Sequence, residues 1–202
     1  MERIREVIEE SIAVKRRLLE ECAGDIERCG ELLIEVYRRG GKALLCGNGG
    51  SAADSQHIAA ELVVRLRGQY PRGAIAALAL TVDTSILTAA GNDIGFENVF
   101  ARQVEAYGRA GDALIAISTS GNSENVFRAA EQARRQQMVV LGLLGCGGGR
   151  ILPLCTAAVV VPSNVTARIQ EAHILIGHIW CEMLEEALFP ELSRHSGHGG
   201  AA

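Results

Sequence analysis

The sequence predicts a three-layer α/β sandwich: an open, five-stranded parallel sheet flanked by helices. Three observations lead there. Five short apolar runs, 43–46, 74–80, 112–118, 138–144 and 157–162, alternate with longer stretches of helical spacing. These runs are nearly continuous in apolar residues, as strands buried on both faces must be. The first and third runs break at once into glycine- and serine-rich loops, Gly47-Asn48-Gly49-Gly50-Ser51 and Thr119-Ser120-Gly121-Asn122-Ser123, and each loop opens a helix. In a doubly wound sheet ligands bind beyond the carboxyl ends of the strands, where the winding reverses. Setting both loops there gives the flavodoxin-like strand order 2-1-3-4-5, with strands one and three side by side.

Each element has its own signal. Ile4, Val7, Ile8, Val14, Leu18 and Cys22 recur at helical spacing over residues 2–21, and Ile26, Cys29, Leu33 and Val36 over 25–39. This N-terminal helix pair, closed by Gly40-Gly41, is extra to a minimal βα repeat. Its apolar stripes must cover the sheet or meet another subunit. After the first strand, Ser51 opens an alanine-rich helix, and Asp54 three residues later has the spacing of a capping box. Residues 65–73 read as a polar loop before the second strand. Helices follow from Thr84 to Gly91-Asn92-Asp93, over 99–107, and from Glu124 to about Gln136. Gly147-Gly148-Gly149 is a flexible loop, and the last long helix spans about 167–188. Residues 1–190 are expected to form a single domain, and 191–202, carrying His195 and His198 among glycines, a flexible tail.

Composition excludes several classes. The 202 residues are 48% hydrophobic and 22% charged, with a formal net charge of −4 and no densely basic window. Nucleic acid is therefore not expected as a partner, since binding its backbone needs concentrated Lys and Arg. The six cysteines show neither a CxxC pair nor zinc-finger spacing, which suits reduced thiols in the cytoplasm. The charged N-terminus is no signal peptide, and no apolar run is long enough to span a membrane.

The two loops carry the chemistry. Glycines at a strand-to-helix turn let backbone approach a ligand, and a helix N-terminus offers free amides to an anion. Ser118, Thr119, Ser120 and Ser123 add hydroxyls, so the pair of loops suits a phosphate without any Lys or Arg. Taken alone, the second loop could equally be an ordinary capped turn. A dinucleotide site fits poorly, because the second strand closes on Leu78-Ala79-Leu80 with no acidic residue at its end. No GxxxxGK[ST] is present, which argues against a nucleoside triphosphatase. His57 and Glu61 share a helix face at i, i+4 and could move protons or bind metal, although an isolated pair of this kind is more often a polar surface strip. On the nearly all-apolar last helix, Gln170 and His178 are costly without partners, whereas His173 falls on the core stripe. Arg65, one turn past Glu61, could pair with it or meet a substrate.

With these residues assembled, the chain resembles the phosphosugar-binding SIS (sugar isomerase) domain proteins, and most closely the phosphoheptose isomerases. The resemblance rests on Gly47-Asn48-Gly49-Gly50-Ser51, His57 with Glu61, Gly91-Asn92-Asp93, Ser118 to Ser123, and Thr166-Ala167-Arg168-Ile169-Gln170-Glu171 followed by His178. It implies isomerisation of sedoheptulose 7-phosphate to D-glycero-D-manno-heptose 7-phosphate through an enediol, towards nucleotide-activated heptose. It implies that Ser51, Ser118, Thr119, Ser120 and Ser123 hold the phosphate, beside Gly49 and Gly50, and that Asn48, Asn92, Asp93 and Gln170 contact the sugar. Glu61 would be the base and His178 the acid. Some members bind Zn²⁺ through residues matching His57, Glu61, Gln170 and His178, and the family forms homotetramers. Gln170 and His178 stand about 12 Å apart along a straight helix. One ion could therefore join them only with extended side chains, a distortion near Gly177, or a ligand from a neighbouring subunit. Ala167 departs from the family, some members having an acidic residue there. Two rivals remain: a non-catalytic SIS regulator, such as the relatives that bind the bacterial replication initiator, and an isomerase for another phosphosugar.

Overall fold

The computed structural model describes residues 1–69 and 71–193; of the predicted tail 191–202, residues 191–193 continue a helical turn and the rest lies outside the described residues. Five parallel strands, β1 (Ala43–Cys46), β2 (Ala77–Ala79), β3 (Ala113–Ser118), β4 (Val139–Leu144) and β5 (Ala157–Val160), form one sheet. Their order is β2-β1-β3-β4-β5, as the loop positions predict. Side chains alternate strictly across it. Leu45, Ile115, Ile117, Leu141 and Leu143 face one core, and Leu44, Cys46, Leu114, Ala116 and Val140 face the other.

Helices α1 (Glu2–Arg38), α2 (Gly50–Val63) and α6 (Thr166–Leu188) cover the first face. Helices α3 (Thr84–Asp93), α4 (Val99–Tyr107) and α5 (Glu124–Arg135) cover the second. A single turn, α7 (Pro190–Ser193), follows α6. None of the described helices is long and apolar enough to cross a membrane.

Four expectations need correction. The N-terminal helix pair is one helix of 37 residues. Gly24 at the expected break costs only about 1 kcal/mol relative to Ala and is no stop signal. The buried stripe Val14, Leu18, Cys22, Ile26, Cys29, Leu33 and Val36 runs straight through it. The capping box does not form either. Helix α2 begins at Gly50 with Gly49 as N-cap, at φ 55° and ψ −119°, a conformation only glycine adopts freely, so Ser51 already lies inside the helix. The second strand keeps only three residues, because Ile75 N–H donates to Leu62 O at the end of α2 instead of joining the sheet. Finally, the flexible loop at Gly147 contains a 3₁₀ turn, Cys146–Gly148. The remaining elements fall within two residues of their predicted bounds, and β5 stops at Val160. Pro162, just beyond, has no N–H for a ladder.

Candidate active site

The first half of the site is a cradle. Strands β1 and β3 pair directly, with Cys46 opposite Ala116, so the loops that leave them stand side by side at the carboxyl end of the sheet. Neither following helix is capped by a side chain. Gly49 has none, and Ser123, the N-cap of α5, turns its hydroxyl away to Ser118 Oγ at 3.0 Å. Ser51 N–H and Ala52 N–H turn back onto Asn48 O and Gly49 O, and Val126 N–H donates to Asn125 Oδ1, so the two helix starts offer an anion their first amides and the positive end of their dipoles. Asn48 and Asn125 lock the loops together with two reciprocal amide hydrogen bonds of 2.8 Å. At Gly121, φ is 65° and an added Cβ would run into Gly148 O, so that turn requires glycine.

The predicted phosphate residues differ in place. Ser51 and Ser118 are buried in the loop bases, at 4% and 2% exposure. Thr119 is half-buried, whereas Ser120 is exposed and its Oγ accepts Asn122 N–H. Beside Ser123 a cavity of about 360 Å³ is lined by Asn48, Phe96, Glu97, Ser123, Glu124 and Asn125. Asn92 and Asp93, expected on the sugar, are exposed at the end of α3, bonded to each other at 2.7 Å, and absent from that lining. Phe96 and Glu97, one turn further on, line it. Sequence reasoning missed them and Asn125. Their signal was their position, immediately after the flagged Gly91-Asn92-Asp93 and Ser118–Ser123 motifs. Glu124 is held below the usual carboxylate range by hydrogen bonds from Arg128 and Arg150, so its charge beside the cradle is locally compensated.

The second half lies where α2 packs on α6. An added Cβ at Gly177 would stand 2.5 Å from Ile58 Cδ1, so this glycine allows the close approach of the two helices. Helix α6 runs unbroken through it, and no distortion arises there. The packing sets His178 Nε2 3.1 Å from His57 Nε2, with ring centroids 5.0 Å apart. Glu61 Oε1 lies 3.2 Å from the same His57 nitrogen, and that imidazole is 47% exposed. One Nε2 therefore faces two basic atoms. A single hydrogen must be divided between them, or a cation must serve all three lone pairs.

Two imidazoles and a carboxylate are zinc donors by chemistry, and three protein ligands are the number a catalytic zinc takes. They are not a finished cage. Among the described residues no group of three or more His, Cys, Asp or Glu is arranged to hold a metal. Gln170, the fourth expected ligand, packs its amide against Gly50 at the cradle end. His173, as expected, is a core residue: fully buried, with Nε2–H donating to Leu144 O at 3.1 Å and its pKa pushed by burial down to about 4. Arg65 is exposed, and all six cysteines are free thiols.

Comparison with known proteins follows the same lines. Residues 7–145 match the SIS domain family. A phosphoheptose isomerase of Roseiflexus sp. is 54% identical over 184 residues, covering 91% of this chain and 92% of that protein. One from Nitratiruptor sp. is 56% identical over 171 residues, covering 85% and 90%. The solved phosphoheptose isomerase of Neisseria gonorrhoeae superposes with a TM-score of 0.86 at 44% identity, over 92% of this chain and 98% of that one. That of Francisella tularensis gives 0.87 at 35%, over 92% and 97%. The NanR protein of Vibrio vulnificus, at 17% identity and a TM-score of 0.61, shares the fold alone.

Proposed function

The chain belongs to the SIS domain family and, within it, to the phosphoheptose isomerases. From that premise we propose that it is an aldose–ketose isomerase converting sedoheptulose 7-phosphate to D-glycero-D-manno-heptose 7-phosphate, in the making of nucleotide-activated heptose. The reading is carried by one observation. His57 stands 3.1 Å from His178 and 3.2 Å from Glu61, on a helix whose first turn forms the anion cradle.

The cradle amides and the Ser51, Ser118 and Ser123 hydroxyls bind the phosphate, and Gln170 meets the sugar. The Glu61 carboxylate takes a proton from C1 of the ketose as His178 gives one to O2, which yields the enediol. Return of a proton to C2, with loss of the one on O1, completes the aldose. The spacing suits the substrate's length. His57 lies six residues past Ser51, or about 9 Å along the helix axis. An extended seven-carbon phosphate measures about 10 Å from C1 to phosphorus by ordinary bond lengths. Turnover of sedoheptulose 7-phosphate, with pentulose and triose phosphates at least tenfold slower, is the expected result. Equal rates on the shorter sugars would count against the assignment.

His57, Glu61, Gln170 and His178 would have to close further to hold Zn²⁺, one per subunit; bound there it would take the lone pairs that Glu61 and His178 need as base and acid, and so would organise the site or hold it at rest. Elemental analysis should find stoichiometric zinc, lost in His57→Ala. A homotetramer with active sites at subunit interfaces is supported by Ile4, Ile8 and Ile12, exposed in a row along α1, and by Leu19 at 72% exposure. The six free thiols and the lack of a membrane-crossing helix among the described residues support a cytoplasmic setting.

A further inference from the structure

We propose that Arg72 is a positioning residue of the isomerase, setting Glu61 against His178 by capping the end of α2 and pinning it to α6. The proposal rests on the assignment of Glu61 and His178 above. Helix α2 closes with Val64 N–H donating to Ala60 O at 2.8 Å, which leaves the carbonyls nearer its end to other partners. It ends at Val63 without a glycine, and its last turn holds no basic residue. The guanidinium of Arg72 serves instead, from the far side of the following loop. Its Nη2 donates to Glu61 O at 2.6 Å, and its Nη1 to Leu62 O and Gly73 O, each at 2.9 Å. The first two are carbonyls of the last turn of α2, the kind a helix end leaves unpaired at the negative end of its dipole.

The same guanidinium reaches α6. Its Nε donates to Glu185 Oε1 at 2.9 Å, and both side chains are 0% exposed. Glu185 also accepts Arg67 Nε at 2.9 Å and Leu66 N–H at 3.1 Å, so its carboxylate gathers the loop as well as the arginine. Glu185 lies seven residues beyond His178, about 20° short of two full turns, and so projects from the same face of α6. The residue whose backbone Arg72 grips is therefore the proposed base, and the helix it pins carries the proposed acid. A planar five-donor fork can make these bonds together, and a lysine ammonium cannot.

The phosphate cradle is at the opposite end of α2, which makes the two roles separable. In Arg72→Lys, with activity counted per folded molecule well below the melting temperature, kcat is expected to fall about 10- to 100-fold, as a misplacement near 1 Å does. KM should stay within about threefold, because the cradle is untouched. An arginine that only stabilises the fold would lower the melting temperature and leave both constants alone, so a folded Arg72→Lys enzyme with kcat within twofold of wild type overturns the proposal. Should that variant not fold, Glu185→Gln carries the same test, since it keeps the acceptor oxygen and loses the charge. A fall in kcat at constant KM supports the proposal, and a wild-type kcat overturns it. Glu61→Gln run in parallel separates the two claims. If Glu61→Gln keeps its rate, the assignment of the base fails. If it is inactive while the folded Arg72 or Glu185 variant is normal, only the positioning role fails.

Discussion

The two halves of the site sit at opposite ends of α2 and are built differently. The cradle is made of backbone: two uncapped helix starts, loops fixed by a double Asn48–Asn125 hydrogen bond, and hydroxyls buried in the loop bases. The proton-transfer end is made of side chains that meet only because α2 and α6 touch, with His57 half in solvent. Binding is thus carried by local, rigid geometry, and chemistry by a helix–helix contact that any shift in packing can spoil. Loss at one end should show in KM, and loss at the other in kcat.

The largest expected effect is at the chemical end. Glu61→Gln should lower kcat by about 10³-fold and His178→Gln by about 10²-fold, in the range of a lost general base or acid, with KM little changed in steady-state assays. If both variants turn over near the wild-type rate, the roles given to these residues are wrong. At the cradle, Ser118→Ala combined with Ser123→Ala should raise KM about 10- to 100-fold, as the loss of one or two hydrogen bonds to a charged group does, and leave kcat within about threefold. A comparable fall in kcat would show that the ends are not separate. Between them stands the helix contact. Gly177→Ala forces a methyl against Ile58, and overpacking of about 1–3 kcal/mol outweighs the roughly 1 kcal/mol of helix propensity gained. Its kcat should fall about tenfold with KM unchanged, beside a modest loss of stability on urea unfolding.

The smallest effect involves no chemistry. His173 has a folded pKa of about 4, below the unfolded value of 6.5, so the unfolded chain takes up the proton first as pH falls. The stability this group contributes is full above pH 6.5 and is lost as pH drops towards 4. At pH 5 the loss is about 2 kcal/mol. His173→Gln should flatten the fall in stability between pH 7 and 5 by about that amount, measured by denaturant titration, and leave kcat and KM unchanged at both ends of α2.

These regions also differed in how far the sequence revealed them. The cradle loops could be read directly, because a strand that breaks into Gly47-Asn48-Gly49-Gly50-Ser51 is a local pattern and the switch-point rule pairs it with Ser118–Ser123. The cap of α2 was misread, because Ser51 and Asp54 have capping-box spacing whether or not Gly49 takes a left-handed φ. Asn125, Phe96 and Glu97 gave no signal of their own beyond their place after a motif, since nothing local marks which residues of a turn will face a crevice. Gln170, named by resemblance for both metal and sugar, lies with its amide against Gly50, because neighbours across a helix pair depend on its offset.

By itself the sequence determined the periodicities of strand and helix, the parallel sheet and its order, the glycine turns that no other residue could form, and the burial of His173. All of these follow from short-range sterics and from apolar patterning along the chain. Only the tertiary structure decided that α1 is one helix, that His178 meets His57 while Gln170 lies against Gly50, and that Arg72 closes α2 from beyond a loop. Those outcomes hang on how two helices slide and rotate as they bury their surfaces, a choice that no single stretch of the chain contains.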